Sequence, residues 1–192
     1  MADRANLATS LSIEDLAYTV TVPQWHPADK HPQPPADPLY DWLRGQGSLT
    51  QRLIAAGNDD FRVELLRQSV QPARTDEART LGIASGAQAW VREVLLHTAG
   101  APRVFARSVA PLASLRESGL EVQSLGSRSL GELLFADARI ERGEIEISRY
   151  PADWLPAPYR HGGLWGRRSQ FSHAGLRLLV CEVFLDGWPP AD

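Results

Sequence analysis

Gln88–Pro111 reads QAWVREVLLHTAGAPRVFARSVAP, and this stretch decides the fold class. Successive side chains of a β-strand point to opposite faces. Trp90, Arg92, Val94 and Leu96 therefore share one face of the first run. Ala99-Gly100-Ala101-Pro102 supplies a tight reversal, so the second run returns antiparallel to the first. Near the carboxyl end the pattern repeats, with LWGRRSQFSH (164–173) and LRLLVCEVFL (176–185) joined through His173-Ala174-Gly175. FRVELLRQSV (61–70) and ARIERGEIEIS (138–148) bring the candidate strands to six.

Helical signals are short and lie between the strands. Asp37-Pro38 is a cap followed by proline at the first helical position, opening LYDWLRGQ. Ser48-Leu49-Thr50-Gln51 reads as a capping box that starts QRLIAA, closed by Gly57. Further helical pieces are expected over 76–81, 114–118 and 129–135. The expected architecture is α+β: a single domain over residues 37–192, with a six-stranded, mostly antiparallel sheet and short helices. Residues 1–36 are expected to form a flexible tail, because PQWHPADKHPQPPADP (23–38) is dense in proline, which removes backbone donors.

Composition narrows the chemistry. At 192 residues, 43% hydrophobic and 22% charged, the chain suits one ordinary core. A net charge of −3 gives no pull toward nucleic acid or anionic membrane. Lys30 is the only lysine and lies in the proline-rich coil, so Schiff-base and P-loop lysine chemistry have no placed candidate. The sole cysteine, Cys181, sits in an apolar run and reads as a buried thiol. His26, His31, His97, His161 and His173 stand apart, with no metal-ligand spacing. There is no G-x-S-x-G elbow, and Gly162-Gly163 precedes a strand where a phosphate cradle needs a helix. The amino terminus lacks a signal-peptide core and no stretch approaches a membrane span, so the expected compartment is the cytoplasm.

Three charges fall where alternation calls for apolar side chains. Arg92 shares its face with Trp90, Val94 and Leu96. A hairpin turning on Gly100-Ala101 sets Arg107 opposite Val94, on the same face as Arg92. Two half-buried cations need anions, either a bound dicarboxylate or structural acids such as Glu64. Glu182 shares a face with Leu178, Val180 and Phe184. A two-residue turn at Ala174-Gly175 puts Arg167 directly across from Glu182, so a cross-strand ion pair competes with a role in proton transfer.

GSLTQRL (47–53), WVREVLL (90–96), FARSVAP (105–111), SLGELLF (129–135), LWGRRSQF (164–171) and LLVCEVFL (178–185), in this order, resemble the bacterial chorismate pyruvate-lyase family. The resemblance runs from about residue 37 to residue 185, and W-x-R-E with L-W-G-R-R-S carries its specificity. It implies a single-domain antiparallel α+β fold with a closed internal ligand pocket and no cofactor. It also implies a lyase that converts chorismate to 4-hydroxybenzoate and pyruvate, for ubiquinone precursor synthesis. Carried over by motif, Arg92 matches the arginine that grips the substrate carboxylate, and Leu49 and Leu130 match positions that bind through their backbone. Glu182 matches the acid at the ring hydroxyl, and Arg107 is expected as a second cation of the pocket. Neither nucleic acid nor a membrane is an expected partner, and the chain is expected to be a monomer. The alternative is a non-catalytic small-molecule or effector-sensing domain, a fold that some bacterial transcription regulators share. Such a regulator needs a DNA-binding module, for which the residues before the domain are too few.

Overall fold

The six runs become eight strands. The structure, a computed structural model, describes residues 22–119, 121–186 and 188–189. β1 (His26–Pro27), β2 (Phe61–Pro72), β3 (Gln88–Thr98), β4 (Ala101–Pro111), β5 (Glu141–Arg142), β6 (Glu146–Arg149), β7 (Trp165–His173) and β8 (Leu176–Phe184) form one sheet. Its order is β1-β6-β7-β8-β4-β3-β2, β5 pairs with β7 as well, and every pairing is antiparallel. One additional strand arises because the run over 138–148 breaks at Gly143. The Gly143 N–H donates to the Gln170 carbonyl at 2.8 Å, and a Cβ at this position would lie a tight 3.3 Å from the same oxygen.

The other additional strand corrects the expectation of a flexible tail. Residues 1–21 lie outside the described residues, but from Trp25 onward the proline-rich segment packs on the domain. His26 and Pro27 pair with Ile147 and Glu146, Ala28 N–H donates to Ile145 O at 2.8 Å, and Ala28 is buried. Trp25 Nε1 donates to Asp76 Oδ2 at 3.0 Å. Proline does not prevent this pairing because β1 is an edge strand, where a missing donor costs least.

Both main hairpins turn on two residues with positive φ, Ala99 and Gly100 (49° and 73°) and Ala174 and Gly175 (44° and 85°). This is the twist that suits flanking right-handed strands. In the first hairpin Thr98 pairs with Ala101 and His97 with Pro102, but Leu96 pairs with Val104. Arg103 is thus an extra residue, and this bulge shifts everything beyond it by one.

α1 (Leu39–Arg44), α2 (Leu49–Ala56), α4 (Leu112–Ser118) and α5 (Leu130–Ala136) cover one face of the sheet, and α3 (Thr75–Leu81) covers the other. Ser48 caps α2 as expected, with Gln51 N–H donating to Ser48 Oγ, but α1 starts one residue later than expected: Pro38 is its N-cap, and Asp37, one residue ahead, accepts from Asp41 N–H. Each face carries two apolar clusters. On the first, Leu53, Leu96 and Phe184 belong to one cluster, and Trp90, Leu134 and Leu178 to the other. On the second, Phe105 and Val183 are separated from Val91 and Val109. The strips between the clusters are polar on both faces. No described helix is long and apolar enough to cross a membrane.

Candidate active site

On the first face the strip between the clusters is a cavity with about 590 Å³ of space between its walls, part of it open to solvent. Its charged lining consists of Arg92, Arg142, Arg167 and Glu182, set among apolar side chains such as Val94, Leu130 and Phe171.

Arg92 is 2% exposed and has no ion pair among the described residues. Nη1 donates to Gln68 Oε1 at 2.9 Å, and Nη2 donates to the carbonyls of Gly126 (2.9 Å) and Arg128 (3.1 Å). Burial without a carboxylate lowers its affinity for its own proton. A second bulge matters here. The shift between Leu65 and Arg67 in β2 puts Gln68 directly opposite Arg92.

Glu182 stands across from Arg167, as the two-residue turn predicts, and accepts from Arg167 Nε at 2.6 Å. Arg167 Nη1 is fixed by the carbonyls of Trp42 (3.0 Å) and Gly45 (2.9 Å). The ion pair and the cavity position therefore coexist. Register sets the spacing of the charges. Arg92, Ser108 and Val180 form one cross-strand row, and Val94, Ala106 and Glu182 the next. Two strand spacings and one two-residue step separate Arg92 from Glu182, roughly 12 Å between Cα atoms. Both side chains line the cavity.

Arg142 was not anticipated as a site residue. Its Nε donates to Ser169 Oγ at 2.9 Å, and Nη1 reaches Gln46 O at 3.1 Å with Gly45 O and Gly47 O at 3.4 Å. Burial, reinforced by the neighbouring Arg167, pulls its pKa down to about 10. The sequence signal for Arg142 was Gly143, a strand-breaking glycine inside an otherwise continuous run. Three guanidiniums and one carboxylate line the cavity, three minus one, a net charge of +2. A cavity with this charge suits a dianion.

α2 and α5 close over the cavity. Leu49 and Leu130, their first residues, both line it. Thr50 Oγ1 and Ser129 Oγ meet at 2.7 Å and link the two helices. A Cβ on Gly131 would lie 2.7 Å from Thr50 Oγ1, so glycine there permits the approach.

Arg107 is not in the cavity. The hairpin turns one residue earlier than expected, on Ala99-Gly100, which by itself would set Arg107 opposite Arg92; the Arg103 bulge pairs it with Glu93 instead and so turns it to the second face. There Nε and Nη2 donate to Glu77 at 2.6 and 3.0 Å, and Nη1 donates to Glu93 at 2.8 Å. Burial opposes the charge on Arg107, but these bonds outweigh it and raise the pKa. Glu93, Arg107, Cys181, Arg168 and Glu146 are successive cross-strand partners, a polar row behind the cavity. α3 adds Asp76 and Glu77 over this row, with Arg168 Nη1 3.3 Å from Asp76 Oδ2. Acids therefore do neutralise Arg107, although they are Glu77 and Glu93; Glu64 pairs instead with His97. Cys181 is a buried free thiol whose pKa burial raises.

The chain is 53% identical over 148 residues to a probable chorismate pyruvate-lyase of Pseudomonas putida, covering 77% of this chain and 80% of that one. It is 54% identical over 147 residues to a probable chorismate pyruvate-lyase of Pseudomonas aeruginosa, covering 77% and 83%. Among solved structures, the effector domain of PhnF from Mycobacterium smegmatis superposes with a TM-score of 0.53 at 20% identity, covering 75% of this chain and 91% of that domain. That likeness concerns the fold. The family model described as Chorismate lyase matches residues 20–190, so the chain belongs to the chorismate lyase family.

Proposed function

We propose that this protein converts chorismate to 4-hydroxybenzoate and pyruvate. The observation that carries the reading is the cavity's charge pattern: Arg92 at one end, Glu182 with two further guanidiniums at the other, and a net +2 for a substrate with two carboxylates. The relatives named probable chorismate pyruvate-lyase support the same reading.

In the elimination, the C–H bond at the hydroxyl-bearing carbon breaks. Its electrons complete the aromatic ring, and the neighbouring C–O bond releases enolpyruvate. A proton on the enol carbon then gives pyruvate, so the equation balances without an oxidant. Aromatisation drives the step, and the protein need only orient the ring and stabilise the departing oxygen. Arg92 grips the ring carboxylate. Glu182 engages the hydroxyl end, held in place by Arg167. As first residues of their helices, Leu49 and Leu130 carry backbone N–H groups without an intrahelical acceptor, which are free to bind the ligand. The reading extends to a monomer that acts in the cytoplasm, without a cofactor, in ubiquinone precursor synthesis.

The test is incubation of the protein with chorismate and identification of the products. Equal amounts of 4-hydroxybenzoate and pyruvate, unaffected by chelator, are expected. Tight chorismate binding without product would replace the lyase by a sensing domain.

A further inference from the structure

Arg142, like Arg92, lines the cavity without an ion pair to any described residue. Arg167 is neutralised by Glu182 at 2.6 Å. The bonds of Arg142 go to uncharged acceptors only, Ser169 Oγ and the carbonyls of residues 45–47. Its Nη2 makes no hydrogen bond among the described residues, and the side chain lines the cavity. The Phe171 ring lies 5.5 Å from its guanidinium carbon and holds the plane from one side.

Position gives that free edge a meaning. The Gly45 carbonyl accepts from both Arg167 Nη1 (2.9 Å) and Arg142 Nη1 (3.4 Å), which brings two guanidiniums together beside Glu182. The opposite end of the cavity has Arg92 alone. In chorismate the enolpyruvyl ether stands on the carbon next to the one bearing the hydroxyl, far from the ring carboxylate. A ring anchored on Arg92 with its hydroxyl toward Glu182 therefore swings the enolpyruvyl carboxylate toward Arg142. We infer that Arg142 is the subsite for this second carboxylate and makes the site select dianionic over monoanionic ring acids. The inference rests on the lyase reading for the substrate's orientation. It also replaces Arg107, which faces the other side of the sheet, as the second cation of the pocket. After the C–O bond breaks, the same guanidinium is left holding the departing pyruvate, while 4-hydroxybenzoate has no group to place there.

The test compares two stable ligands by calorimetry: 4-hydroxybenzoate, and 3-(carboxymethoxy)-4-hydroxybenzoate, which adds a carboxylate on an ether at the neighbouring carbon. Arg142→Gln should weaken the dicarboxylate by roughly ten-fold or more, the scale of one lost charge-assisted hydrogen bond, and 4-hydroxybenzoate by less than about two-fold. The value of kcat/KM for chorismate should fall with the dicarboxylate affinity. Equal losses on both ligands would mean that Arg142 only ties β5 to the loop over 45–47, and would overturn the subsite. So would an unchanged kcat/KM. Should Arg142→Gln not fold, Arg142→Lys, which keeps the charge but lacks the fork, decides by the same comparison, with a smaller loss confined to the dicarboxylate. A wild-type protein that binds both ligands but leaves chorismate intact would refute the lyase reading and keep the subsite. One that binds neither would refute both.

Discussion

Replacing Arg92 by lysine tests the anchor of the site. A guanidinium offers five N–H donors. Three contacts are in use, to Gln68, Gly126 and Arg128, which leaves two donors for a ligand. An ammonium has three donors on a shorter, unforked head. It can satisfy the 126–128 carbonyls or a ligand carboxylate, but not both together with Gln68. The buried position adds to the cost. Burial already lowers the pKa of Arg92, and a lysine there would lose its proton far more readily. Each lost charge-assisted hydrogen bond is worth about 1.5–3 kcal/mol, so affinity for 4-hydroxybenzoate should drop by roughly ten- to a hundred-fold. Isothermal titration of the folded variant with 4-hydroxybenzoate measures this directly, because substrate and product present the same ring carboxylate. Unchanged affinity in a variant with a normal melting curve would show that Arg92 serves only to hold the 126–128 loop, and the anchor would have to be sought elsewhere.

Three further changes probe other parts of the scaffold. Glu182→Gln keeps an oxygen for Arg167 but removes the charge, so kcat for chorismate should fall by roughly 10²-fold while urea denaturation changes little. The Glu77 carboxyl is destabilised by burial, but bonds and charges from Arg107 and Arg74 more than reverse this and hold its pKa below the ordinary value. Its contribution to stability is therefore complete above the ordinary carboxylate range and lost as pH falls through its lowered pKa. Glu77→Gln should lower the thermal midpoint near neutrality and flatten its decline in acid; a parallel decline in both proteins would refute this. Trp25→Ala removes the hydrogen bond to Asp76 and the ring lying 4.6 Å from the Arg168 guanidinium carbon, so it should cost about 2–3 kcal/mol in chemical denaturation.

Local pattern carried the sheet and three of the site's charges. β3 spans Gln88–Thr98, the same bounds that alternation gives, because Trp90, Val94 and Leu96 mark one buried face and Val91 and Leu95 the other. Glu182 and Arg167 met as expected because the Ala174-Gly175 turn has two residues and no bulge follows it. Arg107 went wrong for a reason that composition does not reveal. An extra residue at Arg103 reverses parity, and nothing in the side chain of Arg103 announces it. Arg142 was hidden because its run carries isoleucines and glutamates in both registers, which leaves no apolar stripe to offend. The docked segment from Trp25 was hidden by its prolines, which argue against central strands but not against an edge.

The Arg103 bulge makes the length of the first hairpin a determinant of chemistry. Deleting one residue between Thr98 and Val104 would leave both strands able to pair, with every apolar run intact on paper. It would also turn β4 inside out. Arg107 would enter the cavity without Glu77 and Glu93, and Ala106 and Ser108 would face α3 in its place. Cavity and counter-ion layer would fail together, since the sheet is one residue thick and the two share its strands. Insertions or deletions in this turn should thus be tolerated in steps of two residues, not one, and natural length variation in relatives should keep the same parity.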